Sequence, residues 1–351
     1  MKKLKVGVLG ATGMVGQRFL TLLEKHPWFS VVAVAASPSS AGKLYREAVA
    51  KKWSMKEAIP PHVADLTVLA VEDELEKIAA QVDFVFCALD MEKEDIKRIE
   101  VAYAKKGVPV VSNNSAHRWA EDIPMIIPEI NPQHTDLIDI QKKKRGFEKG
   151  FIAVKPNCSI QSYVAILTAL KAFEPELVDV VSLQAISGAG KTFTTWSEMV
   201  DNVNPLIGAE EEKSEKEPHK IWGSKKPLIT ATCIRVPVSD GHMARVRVKF
   251  GKKPTKEQII VAVKNFSNPL QDLGLPSAPL PFIKYFEEPD RPQTRLDRDY
   301  GHGMGITMGR LMEDQQGFDF RFISLSHNTI RGAAGGAILM AELLVKKGYI
   351  A

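Results

Sequence analysis

The chain has 351 residues, 44% apolar and 25% charged, enough to build two cores without help from disulfides or metal. Three cysteines with no Cys-x-x-Cys pair exclude a disulfide framework and fit a reducing compartment. The net charge of +5 is mixed in sign, and the densest basic run, Lys142–Arg145, has no interleaved aromatic residue, which argues against nucleic acid and suits a small anionic substrate.

Taken in chain order, Met1-Lys2-Lys3-Leu4-Lys5 runs straight into a short apolar stretch. It is too short to span a membrane, and no small-residue cleavage site follows it, so it reads as the buried first strand of a cytoplasmic protein. Leu4–Leu9, Val31–Ala36, Leu66–Val71, Phe84–Leu89 and Val108–Ser112 predict further buried strands, rich in Val and bounded by turn residues. Met14–Glu24 and Lys93–Lys106 between them have helical spacing. Repeated βα units of this kind predict an α/β fold with a parallel, doubly wound, Rossmann-type sheet.

A boundary is expected near Gly146–Gly150, giving a nucleotide domain over residues 1–155 and a second, α+β domain over 156–330. In the second, Val178–Ile186, Ala231–Val238 and Ala244–Phe250 predict strands, while Lys256–Ser267 and Asn268–Leu273 add helix and turn. The glycine-rich Arg331–Gly336 opens a final amphipathic helix through Leu344, and residues 331–351 are expected to pack back against the nucleotide domain.

Gly7-Val-Leu-Gly10-Ala-Thr-Gly13-Met-Val-Gly16 follows one predicted strand and opens a helix. Glycines there allow a tight turn and let backbone N–H groups approach a pyrophosphate, so Gly10, Ala11, Thr12, Gly13, Met14 and Val15 are the expected dinucleotide contacts. NAD sites place a carboxylate at the end of the second strand. This chain has Ser37, Ser40 and Lys43 in that stretch instead, hydroxyls and a cation that would receive the 2′-phosphate of NADP.

Lys155-Pro156-Asn157-Cys158-Ser159-Ile160-Gln161 marks a strand-to-helix turn. A cysteine at a helix amino terminus gains a stabilised thiolate, and the nearby N–H groups suit a developing oxyanion. Cys87 and Cys233, in apolar strands, read as small buried residues. His242 beside Gly241 is placed to project an imidazole into a cleft, and Arg235 reaches the same pocket if the chain bends at Pro237 and Gly241. Gln184-Ala-Ile-Ser187-Gly188-Ala-Gly190-Lys-Thr resembles a phosphate loop, but Ala185 stands where that motif needs glycine, so the segment reads as a backbone surface facing ligand. No His/Cys/Asp spacing suggests a metal.

Gly10…Gly16, Asn157-Cys158-Ser159, Gln184…Gly190, Arg235…Gly241-His242 and Asn328-Thr-Ile-Arg-Gly-Ala-Ala-Gly-Gly336 fall in one order across nearly the whole chain. Together they resemble the aspartate-semialdehyde dehydrogenases, most closely the archaeal and fungal branch. The resemblance implies NADP-dependent conversion between aspartyl phosphate and the semialdehyde through a cysteine thioester, on the route to lysine, methionine and threonine. It implies Cys158 as nucleophile, His242 as general acid/base and Gln184 as the group orienting the acyl intermediate. Arg235 would pair the substrate carboxylate and Glu210 its ammonium group. Lys213 and Arg118 would bind phosphate, with Asn157 in the substrate site, while Asn328 and Ser187, Gly188 and Gly190 would face the nicotinamide. It also implies a homodimer or homotetramer built on the catalytic domain.

For Glu210–Lys213 a solvated charged helix stays open, and for Arg118 an exposed helix cap. Trp119 and Trp196 read as packing residues. Related acyl reductases, acting on malonyl-coenzyme A or N-acetyl-glutamyl phosphate, would share the cysteine chemistry but not the need for Glu210. A non-catalytic NADP-binding regulator would not need Cys158, Gln184, Arg235 and His242 together.

Overall fold

The computed structural model describes residues 2–351. Two compact units emerge: the chain through Pro156 with Leu275–Ser277 and Ala333–Ala351, and Asn157–Gly274 with Ala278–Gly332.

In the first unit, β1 (Leu4–Leu9), α1 (Met14–Leu23), β2 (Phe29–Ala36), α2 (Tyr45–Val49), α3 (Pro61–Ala64), β3 (Val68–Ala70), α4 (Leu75–Ala79), β4 (Phe84–Cys87), α5 (Lys93–Lys105), β5 (Val110–Ser112), α6 (Leu137–Arg145) and β6 (Ile152–Val154) follow in order. The sheet is wholly parallel, with strand order β3-β2-β1-β4-β5-β6. That is the doubly wound arrangement, in which continuous apolar strands are covered on both faces. Several strands are shorter than their apolar runs. β5 starts at Val110 rather than Val108, because Pro109 has no N–H to give the ladder. Phe19, Phe29, Phe84 and Phe86 form the aromatic centre of this core, Phe19 stacking on Phe86 with ring centroids 4.5 Å apart.

The last helix, α11 (Gly335–Lys346), packs on β5 and α1. It is not amphipathic as its sequence suggested: every residue from Gly335 through Leu344 is buried, as in a helix surrounded by protein. Its one buried carboxylate, Glu342, accepts from Ser277 Oγ and from the Ser277 N–H, and lies 2.8 Å from His26 Nε2. Those bonds explain why the short Leu275–Ser277 segment belongs to this unit.

A second buried carboxylate carries a penalty. Glu100 on α5 is fully buried and accepts from Ser112 Oγ, while His117 Nε2 lies 3.7 Å away. Burial raises the Glu100 pKa to about 7, the Ser112 bond opposing it, and burial lowers that of His117 to about 4. The imidazole is therefore neutral and brings no compensating charge. A carboxyl whose folded pKa lies above its unfolded value keeps its full stability below the unfolded value, and that stability is lost as pH climbs through the folded one. Glu100→Gln should remove a pH-dependent loss of roughly 3 kcal/mol between pH 4.5 and 8, leaving stability at low pH little changed. Denaturant unfolding of both proteins across that range checks this, and parallel pH curves would refute it.

The second unit contains α7 (Gln161–Ala169), β7 (Pro175–Gln184), α8 (Glu210–Trp222), β8 (Leu228–Arg235), β9 (His242–Phe250), α9 (Lys256–Lys264), β10 (Ile283–Tyr285), α10 (Thr294–Asp297), β11 (Ile306–Glu313) and β12 (Phe320–Ser326). Its mixed sheet runs β10-β11-β12-β9-β7-β8. One face packs on α7 and α9, while the other shows half-exposed Asp179, Val181 and Leu183 on β7 and Met243, Arg245 and Arg247 on β9. Helix α9 starts at Thr255, whose side chain caps the Gln258 N–H while Gln258 returns the bond. It ends at Lys264, short of the expected Ser267, and Asn268–Leu273 forms only a brief 3₁₀ turn at Gln271–Leu273. No helix among the described residues is long and apolar enough to cross a membrane.

Candidate active site

The nucleotide loop lies between β1 and α1. Gly10 has φ +84°, and a Cβ there would sit 2.2 Å from the Ala88 carbonyl oxygen, so only glycine fits. Tyr45 Oη donates to the Ala11 carbonyl at 2.9 Å and Gln17 Nε2 to the Thr12 carbonyl at 3.0 Å, bracing the loop from behind. Gly13 caps α1 without a side chain, and Thr12, Met14 and Val15 are half-buried at the front of the helix. The first-turn N–H groups have no intrahelical acceptors, an arrangement that suits an anion. After β2, Ser37 and Lys43 are exposed, with Lys43 Nζ on the Ser39 carbonyl at 2.9 Å, whereas Ser40 is buried. With no carboxylate in this stretch, the loop fits a dinucleotide bearing a 2′-phosphate.

The thiol cluster is in the second unit. Cys158 lies two residues before Ile160, the cap of α7, so it approaches the helix amino terminus without joining the first turn. The Ser159 N–H donates to Asn157 Oδ1 at 2.7 Å, so this one of the nearby N–H groups is already engaged. Cys158 Sγ lies 3.4 Å from His242 Nε2. His242 opens β9. Its Nδ1 accepts from the Ala185 N–H at 3.1 Å, so a neutral ring carries its hydrogen on Nε2, toward sulfur. Burial lowers the His242 pKa to about 3, helped by the Arg235 charge and by His327, with the Gly241 carbonyl pulling weakly the other way. At neutral pH the imidazole is uncharged.

Arg235 ends β8 directly opposite Gln184 at the end of β7, and its Nη1 donates to the Ala185 carbonyl at 2.8 Å. Burial lowers its pKa, while the Cys158 and Glu210 side chains push it back up. Arg235 and His242 meet at one point: a Cβ on Gly188 would lie 2.8 Å from Arg235 Nη1 and 3.0 Å from His242 Nε2. The Gln184 Nε2 amide is buried without a hydrogen-bond partner. Ile186–Ala189 makes one 3₁₀ turn ended by Gly190. Asn328 clamps the group, donating to Ser187 Oγ at 2.8 Å and accepting from the Gly241 N–H at 2.8 Å.

Helix α8 is bound on two sides, so the solvated-helix alternative fails. Glu210 accepts from Asn157 Nδ2 at 2.9 Å and from Lys213 Nζ at 2.7 Å. Glu211 and Glu215 accept from the Cys233 and Ala231 N–H groups, both at 3.1 Å, covering the open edge of β8.

Arg118 lies in the first unit. It is not an exposed cap: it is 6% exposed and donates to the Lys155 and Asn113 carbonyls at 3.0 and 3.1 Å. Trp119 is 52% exposed, so it is not the packing residue its sequence suggested, and Trp196 is half-buried. Cys87 and Cys233 are buried, and burial raises both thiols well above the ordinary range or toward about 11. Among the described residues no group of His, Cys, Asp and Glu could hold a metal ion.

Sequence reasoning missed three participants. The Ala185 N–H orients His242, a backbone role that no side-chain pattern announces. Glu217 accepts from the Asn157 N–H at 2.6 Å. Gly332 abuts the thiol: a Cβ there would lie 2.7 Å from Cys158 Cβ. The glycine-rich segment was visible, but its neighbour, 174 positions away in sequence, was not.

Comparison with known proteins gives a consistent result. The profile described as "Semialdehyde dehydrogenase, NAD binding domain" matches residues 5–138, and "Semialdehyde dehydrogenase, dimerisation domain" matches residues 167–331. The aspartate-semialdehyde dehydrogenase of Archaeoglobus fulgidus is 43% identical, over 98% of this chain and 99% of its own. That of Aspergillus fumigatus is 42% identical, over 99% of both chains. Among solved structures, aspartate semialdehyde dehydrogenase with NADP from Candida albicans superposes with a TM-score of 0.87 at 36% identity, covering 99% of this chain and 100% of that one.

Proposed function

The chain belongs to the aspartate-semialdehyde dehydrogenase family, and on that premise we propose that its thiol cluster runs the family reaction with Cys158 as nucleophile and His242 as its proton-handling partner. The protein is an NADP-dependent oxidoreductase that converts L-aspartyl 4-phosphate to L-aspartate 4-semialdehyde, reversibly. The observation that carries the residue assignment is the 3.4 Å approach of Cys158 Sγ to His242 Nε2 beside the buried Arg235 guanidinium.

The Cys158 thiolate attacks the acyl-phosphate carbonyl carbon. A carbon–sulfur bond forms, the carbon–oxygen bond to phosphate breaks, and phosphate leaves with its electron pair. Covalent capture divides a difficult reduction into easier steps. Gly10, Ala11, Thr12, Gly13, Met14 and Val15 would hold the pyrophosphate, with Ser37 and Lys43 toward the 2′-phosphate, and bound NADPH supplies the hydride that reduces the thioester. His242 directs its Nε2 hydrogen at the oxygen that gains charge and manages that proton as the carbon–sulfur bond breaks, a role worth about 10²–10⁴-fold. The unpartnered Gln184 amide suits the same acyl group, because a buried donor lacking a partner costs stability until a ligand oxygen meets it.

For the substrate, Arg235 matches the planar α-carboxylate and Glu210 the ammonium group. Lys213 and Arg118 are proposed phosphate ligands. Asn157 acts on Glu210, holding its carboxylate rather than touching substrate. Ser187, Gly188, Gly190 and Asn328 shape the floor beside His242 and are proposed to meet the nicotinamide.

The second unit matches a dimerisation domain. Its half-exposed sheet face carries apolar Val181, Leu183 and Met243 with the Arg245–Asp179 pair, a composition able to pair with itself. We assign self-association to this face, as a dimer or as the unit of a tetramer. The free thiols suit a cytoplasmic, reducing setting.

The test is phosphate-dependent reduction of NADP⁺ by purified protein with L-aspartate β-semialdehyde, run beside malonyl-coenzyme A with NADPH. Strong phosphate-dependent turnover of the semialdehyde is expected. Turnover of the thioester alone would move the chain to the acyl reductases, and silence from both would overturn the proposed assignment in favour of the N-acetylated acyl phosphate or a non-catalytic role.

A further inference from the structure

Helix α8 has an interior proline, Pro218. Proline has no N–H, so the carbonyl four residues earlier, that of Ser214, loses its helical donor. Tyr163 on α7 fills the vacancy, its hydroxyl donating to the Ser214 carbonyl at 2.7 Å. The gap that proline opens thus becomes a bond between α8 and the helix that follows Cys158. Glu210, Ser214 and Glu217 stand at positions i, i+4 and i+7, on one face of α8. All three reach the nucleophile loop: Glu210 to Asn157 Nδ2 at 2.9 Å, Ser214 Oγ to Ser159 Oγ at 3.2 Å, and Glu217 to the Asn157 N–H at 2.6 Å. Cys158 sits between the two clamped residues.

We propose that Glu217 is a positioning residue of this enzyme: its carboxylate, fully buried and bonded to the Asn157 backbone, sets where the Cys158 thiol stands relative to His242. The assignment rests on Cys158 being the nucleophile. It explains why a carboxylate with no substrate to bind lies buried one turn from the end of a helix whose other end carries Glu210. The Glu211 and Glu215 bonds to β8 make α8 a rigid base, so a change in reach at position 217 moves the loop rather than the helix. The Asn157 N–H meets an acceptor placed by the reach of the side chain at position 217, so reach and charge are varied separately.

The experiment compares Glu217→Asp, which keeps the charge and withdraws the acceptor, with Glu217→Gln, which keeps the acceptor's reach and removes the charge. Readouts are kcat, KM for semialdehyde and NADP⁺, the thermal midpoint, and the rate at which iodoacetamide alkylates Cys158. Glu217→Asp should lower kcat about 10- to 100-fold, with the alkylation rate changed, both KM values within about threefold and the fold intact. Glu217→Gln should recover kcat to within about threefold of the parent. The proposal is overturned if Glu217→Asp keeps kcat within about twofold, or if both variants lose activity in step with KM or thermal midpoint. Should Glu217→Asp not fold, Glu217→Gln decides alone: recovery supports positioning by the acceptor, and a loss of about tenfold or more overturns it. Cys158→Ala is run alongside. An active Cys158→Ala would remove the nucleophile reading itself, whereas a dead one beside an indifferent Glu217→Asp removes only this inference.

Discussion

Cys158→Ala is expected to leave no measurable turnover, a loss of about 10⁴-fold or more, while NADP⁺ binding and thermal midpoint stay near those of the parent. In the proposed reaction the Cys158 sulfur forms the bond that carries the acyl group, and neither of the other thiols is placed to replace it. Cys87 and Cys233 are fully buried in strands, and desolvation holds both in the protonated, unreactive form. The substitution also removes a single heavy atom from a half-buried position, so it leaves little cavity to destabilise the fold. Steady-state assays with semialdehyde and phosphate, paired with a cofactor titration, separate chemistry from binding. Residual activity above about 1% would place the nucleophile elsewhere.

The second large effect is expected at a residue with no side chain. Gly332→Ala would set a Cβ 2.7 Å from Cys158 Cβ and 3.2 Å from its Cα. Neither atom is the flexible end of a side chain, and the φ of Gly332 lies outside the left-handed region, so the clash is steric and the loop must yield. Cys158 is tethered by His242 on one side and by clamped neighbours on both others, which leaves displacement of the thiol as the outcome. A shift of about 1 Å costs on the order of 10²-fold in rate, and overpacking of this kind costs roughly 1–3 kcal/mol of stability. The expected result is a kcat loss near 10²-fold with a smaller change in KM and a modest drop in thermal midpoint. A variant with kcat within about threefold of the parent would show that the loop has room the geometry does not reveal.

How much of this was legible beforehand differs from element to element. The buried strands of the first unit follow from short Val-rich runs bounded by turn residues, and the glycine turn from Gly10 to Gly16 is local by nature. The sequence therefore placed the dinucleotide loop and the absence of a carboxylate after the second strand, because both depend on a few consecutive residues. Cys158 and His242 were singled out from their immediate neighbours and from five motifs in one order, and the structure brings them within 3.4 Å of each other.

Charge-rich segments were the least legible. For Glu210–Lys213 a solvated helix stayed open beside the ligand reading, since local pattern cannot say which carboxylates meet backbone N–H groups on an open strand edge. The structure turns Glu211 and Glu215 to β8 and Glu210 and Glu217 to Asn157, and so makes the helix a clamp. The last helix erred in the opposite direction: a stretch taken for amphipathic is buried all round, its one carboxylate stabilised by Ser277 and His26 from far along the chain.

By itself the sequence determined the α/β class, the glycine turn of the nucleotide domain and the family, all of which rest on local spacing or on motif order, and it singled out Cys158 as the candidate nucleophile. Only the tertiary structure decided which nitrogen of His242 faces sulfur, that Arg235 shares its corner, and that Gly332 and Glu217 bear on the thiol loop. Those are contacts between residues tens to hundreds of positions apart, set by how α7, α8 and the second sheet pack, and a one-dimensional pattern has no term for distance across a core.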